Sequence, residues 1–343
     1  VRSPAEFAAD HLPGAINLPV LDNAQRAEVG TLYAASPFDA RKRGAALIAA
    51  NAARHIAGPL ATQGGGWRPL VYCWRGGMRS GAFATILDQI GWRVEVVEGG
   101  YKAWRRLVVG RVSDTPWRQP LWVLAGDTGS GKTAVLHALE RRGVQVLDLE
   151  GLANHRGSLF GAMPGGQPSQ AMFEGRLAAE MEALDPARPV VVEAESSRIG
   201  DLNLPKSVWA ALIAAPRLRL VVPVEERARF TAATYPEMTA DPAEVEAILS
   251  RLSRLHPAER LQHWRAQNAR GEWAQLAEGL MRHHYDPRYG KHRDRTAALE
   301  RATLEVPRLD AEGIEAAAAA VERAIAQIGE VPVPAVDQGN ARD

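Results

Sequence analysis

Cysteine is nearly missing from this sequence. Cys73 is its one cysteine in 343 residues. A single thiol closes no internal disulfide and supplies no cysteine-rich zinc site, so neither framework holds the fold. Such a chain suits a reducing, cytoplasmic compartment. Long apolar runs are also missing. None approaches the roughly 18 residues that span a bilayer, so no membrane partner is expected. No secretory signal is visible. Excess charge is absent too, with 41 Lys and Arg against 40 Asp and Glu, a formal net charge of +1. The whole chain therefore lacks the basic footprint of a nucleic-acid binder, and any RNA contact must come from local patches. Two such patches are Arg41-Lys42-Arg43 and the stretch from His283 to Arg295, each of which also reads as a solvated face. There is no internal repeat.

What is present is a soluble globular composition, 46% hydrophobic and 24% charged, long enough for two domains. Val1 to Pro4 already look like the inside of a domain, so a few residues of a first strand are expected before Val1. Residues 1–107 alternate strand and helix. Leu70-Val71-Tyr72 is a short apolar run, Ser80 to Ile90 reads as a helix, and Arg93 to Val97 reads as a strand closed by Gly99-Gly100. That order predicts a small parallel-sheet α/β domain. Residues 108–119 have no clear period and read as a linker. A second α/β domain is expected over 120–240. Its strands are Leu121–Ala125, Val144–Leu149, Pro189–Ala194 and Leu218–Val224, apolar enough to be covered on both faces. From Asp241 to residue 328 the pattern is helical, with Asp241 as N-cap and Pro242 at the first position. Leu261, Trp264, Trp273, Leu276 and Leu280 carry a helical stripe. Residues 329–343 read as a disordered tail.

Two loops carry chemistry. Gly126-Asp127-Thr128-Gly129-Ser130-Gly131-Lys132-Thr133 is a complete Walker A pattern between a strand and a helix. Backbone N–H groups around Gly126, Gly129, Ser130 and Gly131 surround an anion, Lys132 adds charge, and Thr133 is placed for Mg²⁺. The loop does not choose among ATP, GTP and a prenyl diphosphate. Glu193 and Glu195, after an apolar strand, are the metal candidates, with Asp148 and Glu150 as alternatives. The other loop is Cys73-Trp74-Arg75-Gly76-Gly77-Met78-Arg79-Ser80. A cysteine at a strand end, before a helix N-terminus, is set up as a stabilised thiolate. Arg75 and Arg79 add positive charge, and the same cradle suits a persulfide, a perselenide or a small oxyanion.

The cysteine loop resembles the active loop of the rhodanese family. So do Val1-Arg2-Ser3-Pro4-Ala5-Glu6-Phe7, the stretch His11-Leu12-Pro13-Gly14-Ala15-Ile16-Asn17-Leu18-Pro19, and Val97-Glu98-Gly99-Gly100-Tyr101-Lys102-Ala103-Trp104. A rhodanese-like parallel-sheet domain followed by a P-loop NTPase-like α/β domain with a helical C-terminal part is similar to the tRNA 2-selenouridine synthases. Further patches resemble that family: Asp148 to Ser158, Glu193 to Gly200, and His284 to Tyr289. The resemblance implies a tRNA substrate with 2-thiouridine at the wobble position. It implies geranyl diphosphate and selenophosphate as donors, an S-geranyl intermediate, and selenophosphate synthase as the donor's source. It places Cys73, Arg75 and Arg79 at the catalytic loop. Within the matching patches Arg156 and Arg198 are candidate phosphate contacts, His155 and His284 candidate proton shuttles near neutral pH, and Trp74 a candidate stacking residue. Two rival readings stay open. One is an ATP-dependent kinase or NTPase with a regulatory rhodanese domain. The other is a non-catalytic sulfur or selenium carrier. The sequence leaves the oligomeric state open.

Overall fold

A computed structural model describes residues 1–75, 77–234, 241–288 and 296–329. The chain divides into two compact units, residues 1–111 with 168–179, and residues 112–167 with 180–343. Among the described residues no helix is long and apolar enough to cross a membrane.

In the first unit, strands β1 (Leu70–Val71) and β2 (Glu95–Val96) pair in parallel, Leu70 against Glu95 and Val71 against Val96. Helices cover them. The helix Pro37–Ala57 shows why these residues fold locally. Ser36 caps it by accepting from the Asp39 amide, Pro37 occupies the first turn, and Arg54 and His55 face the negative end of its dipole. Its buried residues, Ile48 and Ala52, join Val20, Leu60, Val71, Phe83 and Leu87 in one core. Cys73 sits at the edge of that core. Residues 168–179, far along the chain, belong to this unit as well. Glu174 pairs with Arg105, and the Ser169 hydroxyl donates to the Ala9 carbonyl. The stretch from residue 108, which lacks a clear period, is helical through Asp114, because the helix Gly100–Val109 runs on into a π turn.

The second unit is built on a five-stranded sheet. Its strands are β3 (Leu121–Gly126), β4 (Gln145–Leu147), β5 (Val190–Glu193), β8 (Arg217–Val221) and β9 (Glu300–Glu305), in the order β4-β5-β3-β8-β9. All four pairings are parallel. A small antiparallel pair, β6 (Arg198–Ile199) with β7 (Leu202–Asn203), stands apart. Trp122, Leu124, Val191, Leu218 and Leu220 pack one face of the sheet against Val135, Leu136 and Leu139 of the helix Lys132–Arg141 and Ala318 and Val321 of the helix Ala311–Ile328. Each such buried side chain contributes about 1.5–3 kcal/mol. Central β3 therefore presents its C-terminal end, Gly126, at a rigid position, as parallel sheets with bound anions require.

β9 lies inside the segment whose pattern reads as helical. Glu300-Arg301-Ala302-Thr303-Leu304-Glu305 alternates half-buried and exposed positions, the habit of an edge strand covered on one side, and it lacks a continuous apolar run. The helices Pro242–Arg251, Ala258–Arg270 and Trp273–Leu280 form as the sequence predicts. Asp241 caps the first by accepting from the Ala243 amide at 2.9 Å. Trp264, Leu276 and Leu280 close their own core with Val245 and Leu249. The tail read as disordered lies, from residue 330, outside the described residues, as does most of the basic stretch after Arg288.

Candidate active site: a thiol cradle and a phosphate cradle

The thiol cradle belongs to the first unit. Chain reversal after β1 is fixed by backbone bonds: the Tyr101 amide donates to the Cys73 carbonyl (2.9 Å) and the Lys102 amide to that of Trp74 (3.1 Å). Cys73 is a free thiol, 3% exposed. The Ser80 hydroxyl donates to Cys73 Sγ at 3.2 Å, with the Gly77 carbonyl its other acceptor at 3.2 Å. Burial alone would push the thiol pKa up. Hydrogen bonds from the Ser80 hydroxyl and from the backbone N–H groups of Ser80, Gly77 and Arg75 outweigh it and lower the pKa from 9.0 to about 7. The thiolate is thus abundant at neutral pH.

The arginines serve this loop differently from the sequence-based expectation. Arg79 is locked in a bidentate pair with Glu6 (2.6 and 3.3 Å), and Arg75 reaches the sulfur through its backbone N–H. Glu6 also accepts from the Ser3 amide and from Arg26, and its pKa falls to about 2 as these bonds overcome burial. Arg79 therefore braces the loop against the first helix. Trp74 stacks on Tyr101, ring centres 5.1 Å apart, while Arg2 lies over the Tyr101 ring at 4.0 Å. The Tyr101 hydroxyl donates to Asp10 at 2.7 Å. Trp74 stays 37% exposed, with Arg2 at 5.2 Å and Lys102 at 6.0 Å from its ring centre. Gly76 lies outside the described residues. Arg41 and Arg43, on a solvated helix, bond to the Pro37 carbonyl and to Glu28.

The phosphate cradle belongs to the second unit. It lines a cavity of about 370 Å³ with Gly129, Ser130, Lys132, Thr133, Arg156 and Glu195. Lys132 Nζ donates to the Gly126 carbonyl at 3.1 Å, and Thr133 donates to Glu150 Oε2 at 2.8 Å. Gly129 is required here. Its φ is +79°, and an added Cβ would lie 2.6 Å from Met281 Cε and 2.7 Å from Thr231 Oγ1. Arg227, 4% exposed, donates to the Thr128 carbonyl at 3.0 Å and grips Asp286 at 2.9 and 2.8 Å. This clamp is invisible in the sequence, since its partners are 99 and 59 positions away. The buried Ser130 hydroxyl has no protein partner among the described residues, as befits a group reserved for a ligand.

Carboxylates crowd beside Thr133. Glu150 and Glu195 approach across Gly157, where an added Cβ would lie 2.8 Å from one and 2.9 Å from the other. Burial first, and Glu150 next, raise the Glu195 pKa to about 8. Among the described residues no three His, Cys, Asp or Glu side chains form a metal cage. Mg²⁺ at a phosphate loop needs none, because it takes one or two protein oxygens and completes its shell with phosphate and water. The oxygens of Thr133, Glu150 and Glu195 fit that ion. Glu193 does not. It is wholly buried, accepts from the Glu150 amide at 2.8 Å, and has an unpartnered Oε2. Burial first, and neighbouring Asp148 next, raise its pKa well above 4.5, and its bond from the Glu150 amide positions that residue. Asp148 caps the helix Leu149–Ala153 and bonds His137.

The remaining candidates separate. Arg156 lines the phosphate cavity. Arg198 lies on the β6–β7 hairpin, where it pairs with Asp201 at 2.8 Å and bonds the Gly200 carbonyl. His155 Nδ1 accepts from the Gly157 amide at 3.1 Å, and burial lowers its pKa, so the ring braces the loop as a neutral group. His284 is 3% exposed, 3.0 Å from His256, and burial lowers its pKa to about 4. Its other ring nitrogen faces Arg288 at 3.4 Å, so both nitrogens are engaged inside the protein.

Residues 1–107 match the model of the rhodanese-like domain, and residues 119–247 match that of the tRNA 2-selenouridine synthase AAA domain. The chain is 34% identical over 336 residues to the tRNA 2-selenouridine synthase of Cupriavidus pinatubonensis, covering 87% of this chain and 89% of that protein. It is 37% identical over 236 residues to the tRNA 2-selenouridine synthase of Chromohalobacter salexigens, covering 66% and 62%. With that of Shewanella loihica it shares 37% over 231 residues, 66% and 61%. In the last two the match spans less than two thirds of the relative's length.

Proposed function

The chain belongs to the tRNA 2-selenouridine synthase family, and on that premise we propose that it converts wobble 2-thiouridine of tRNA to 2-selenouridine through an S-geranyl intermediate, using geranyl diphosphate and selenophosphate. One observation carries the choice of a prenyl diphosphate over a nucleotide. A small apolar cavity of about 40 Å³, lined by Phe160, Trp273, Leu276, Leu280 and Met281, adjoins the phosphate cradle at Thr128 and Ser158, and a geranyl chain entering there would have to part these side chains. A nucleobase needs hydrogen-bonding partners, whereas a hydrocarbon chain needs only dry surface.

In this reading the phosphate loop holds the diphosphate of the donor. The thiocarbonyl sulfur attacks the geranyl C1, the C1–O bond breaks, and diphosphate leaves with the electron pair. Lys132 and the loop amides meet the charge that develops on the leaving oxygen. Mg²⁺, held by Thr133, Glu150 and Glu195, supplies further charge neutralisation when bound. Selenophosphate then attacks C2 of the base through selenium, the C2–S bond breaks, and geranylthiolate departs with the electron pair. Water attacks phosphorus, the P–Se bond breaks, and phosphate leaves while selenium stays on C2. Cys73 serves this second step, its loop of N–H donors being the cradle that would hold the selenophosphate oxyanion. Selenophosphate synthase in the cytoplasm would supply the selenium donor.

The test is product analysis. Purified protein is incubated with 2-thiouridine tRNA, geranyl diphosphate and selenophosphate, and nucleosides are read by mass spectrometry. Wild type is expected to form 2-selenouridine, Lys132→Ala to stall before geranylation, and Cys73→Ala to accumulate S-geranyl-2-thiouridine. Lysine-dependent ATP hydrolysis without a nucleoside product would replace this reading with an NTPase. Chalcogen loading of Cys73 with no product would replace it with a carrier.

A further inference from the structure

β8 carries two arginines beside the phosphate loop, and among the described residues only Arg219 pairs with a loop residue, Asp127. Side chains alternate along a strand, so Arg217 and Arg219 share one face, while Leu218 and Leu220 pack the other against the helix that follows the loop. Together with Ala125, Gly126 and Asp127 they line a cavity of about 310 Å³. Arg217 is only 6% exposed. Among the described residues its one side-chain bond is from Nη2 to the Leu212 carbonyl at 3.3 Å, and its Nε has no partner. No ion pair reaches it among the described residues, and burial alone lowers its pKa. Arg219 has a carboxylate, Asp127, no nearer than 3.9 Å.

A buried cation without a counter-charge is costly, and a fold retains one where an anion completes it. The two carboxylates that also line the cavity do not fill that role. Glu300 accepts from the Thr303 hydroxyl at 2.6 Å, Glu195 is turned toward Glu150 across Gly157 at the phosphate loop, and neither forms an ion pair with Arg217 or Arg219 among the described residues. We infer that this cavity is a second oxyanion site, distinct from the phosphate loop, which takes one phosphate-class group on Arg217 and Arg219. Planar guanidinium forks suit tetrahedral phosphate oxygens. Glu195 lines both cavities, so the second anion would lie beside the first. The group has two sources of the same chemistry, a small free phospho-anion or a phosphodiester of the RNA. The inference goes beyond the proposed reaction and does not rest on it, because it is read by binding alone.

The 343-residue chain is first saturated with Mg²⁺ and pyrophosphate, which fills the phosphate loop. It is then titrated calorimetrically with thiophosphate and, separately, with an anticodon stem-loop RNA. Wild type is compared with Arg219→Gln and Arg217→Met, and each variant's Tm and pyrophosphate affinity are recorded. At least about a tenfold loss of binding is expected in both variants. Pyrophosphate affinity should stay within about twofold, and the Tm of Arg217→Met should be unchanged or higher, since an uncompensated buried cation has been removed. Loss confined to thiophosphate assigns the site to a free phospho-anion. Loss confined to RNA, with a shallower salt dependence, assigns it to a phosphodiester. If both variants bind both probes like wild type, the inference is overturned. It is equally overturned if both variants lose Tm and pyrophosphate binding together, because the arginines are then structural.

Discussion

The two cradles share one backbone plan, strand then loop then helix, yet they bias charge in opposite directions. Around Cys73 the neighbours are hydrogen-bond donors, and the thiol pKa falls to about 7. Around Lys132 the neighbours include crowded carboxylates, and the Glu195 pKa rises to about 8. One site is ready with a negative atom of its own. The other waits for a cation and a polyanion together. A strand–loop–helix turn is therefore only a scaffold, and the donors or acceptors placed around it decide whether it makes a nucleophile or holds a leaving group.

Four changes would sharpen or break that contrast. Lys132→Ala should cost about 10²–10³ in geranyl transfer, a loss typical of removing a main electrostatic stabiliser, while the alkylation profile of Cys73 stays as in wild type. Iodoacetamide reads that profile at a single site, because no other cysteine is present. Next comes the pH dependence of stability, with opposite signs in the two units. Glu195 is raised from 4.5 to about 8, so its contribution is full below pH 4.5 and is lost as pH rises through about 8. Thermal unfolding of the second unit should weaken over that window, and Mg²⁺ with pyrophosphate, or Glu195→Gln, should flatten the loss. Glu6 is lowered to about 2, so its contribution is present above pH 4.5 and is lost as pH falls toward 2. Glu6→Gln should destabilise the first unit by about 1–2 kcal/mol at pH 7 in urea titrations, after solvent screening is allowed for, with little effect at pH 2. Smallest is Ser80→Ala. It removes one of several bonds to the sulfur and should move the Cys73 alkylation midpoint upward from about 7 by about one pKa unit.

Both loops were legible in the sequence because each is contiguous: the eight residues from Gly126 to Thr133, and those from Cys73 to Ser80. The strands β3 and β5 were legible because burial on two faces leaves an unbroken apolar run. What the sequence hid depends on long-range partners. Arg79 looks like a catalytic charge until Glu6, 73 positions away, is seen to hold it. Glu193, read with Glu195 as a metal candidate, is wholly buried, while Glu150, read as an alternative, accepts from Thr133. β9 was hidden because an edge strand needs only alternate apolar positions. The capture of residues 168–179 by the first unit leaves no local mark at all.

The division of labour between the cradles is tested most directly by bypassing one of them. RNA already carrying S-geranyl-2-thiouridine is given, with selenophosphate, to Lys132→Ala and to Cys73→Ala protein, and 2-selenouridine formation is timed. Lys132→Ala should select this pre-alkylated substrate and turn it over at close to the wild-type rate, and Cys73→Ala should form no product. Turnover by Cys73→Ala with failure of Lys132→Ala would contradict the account.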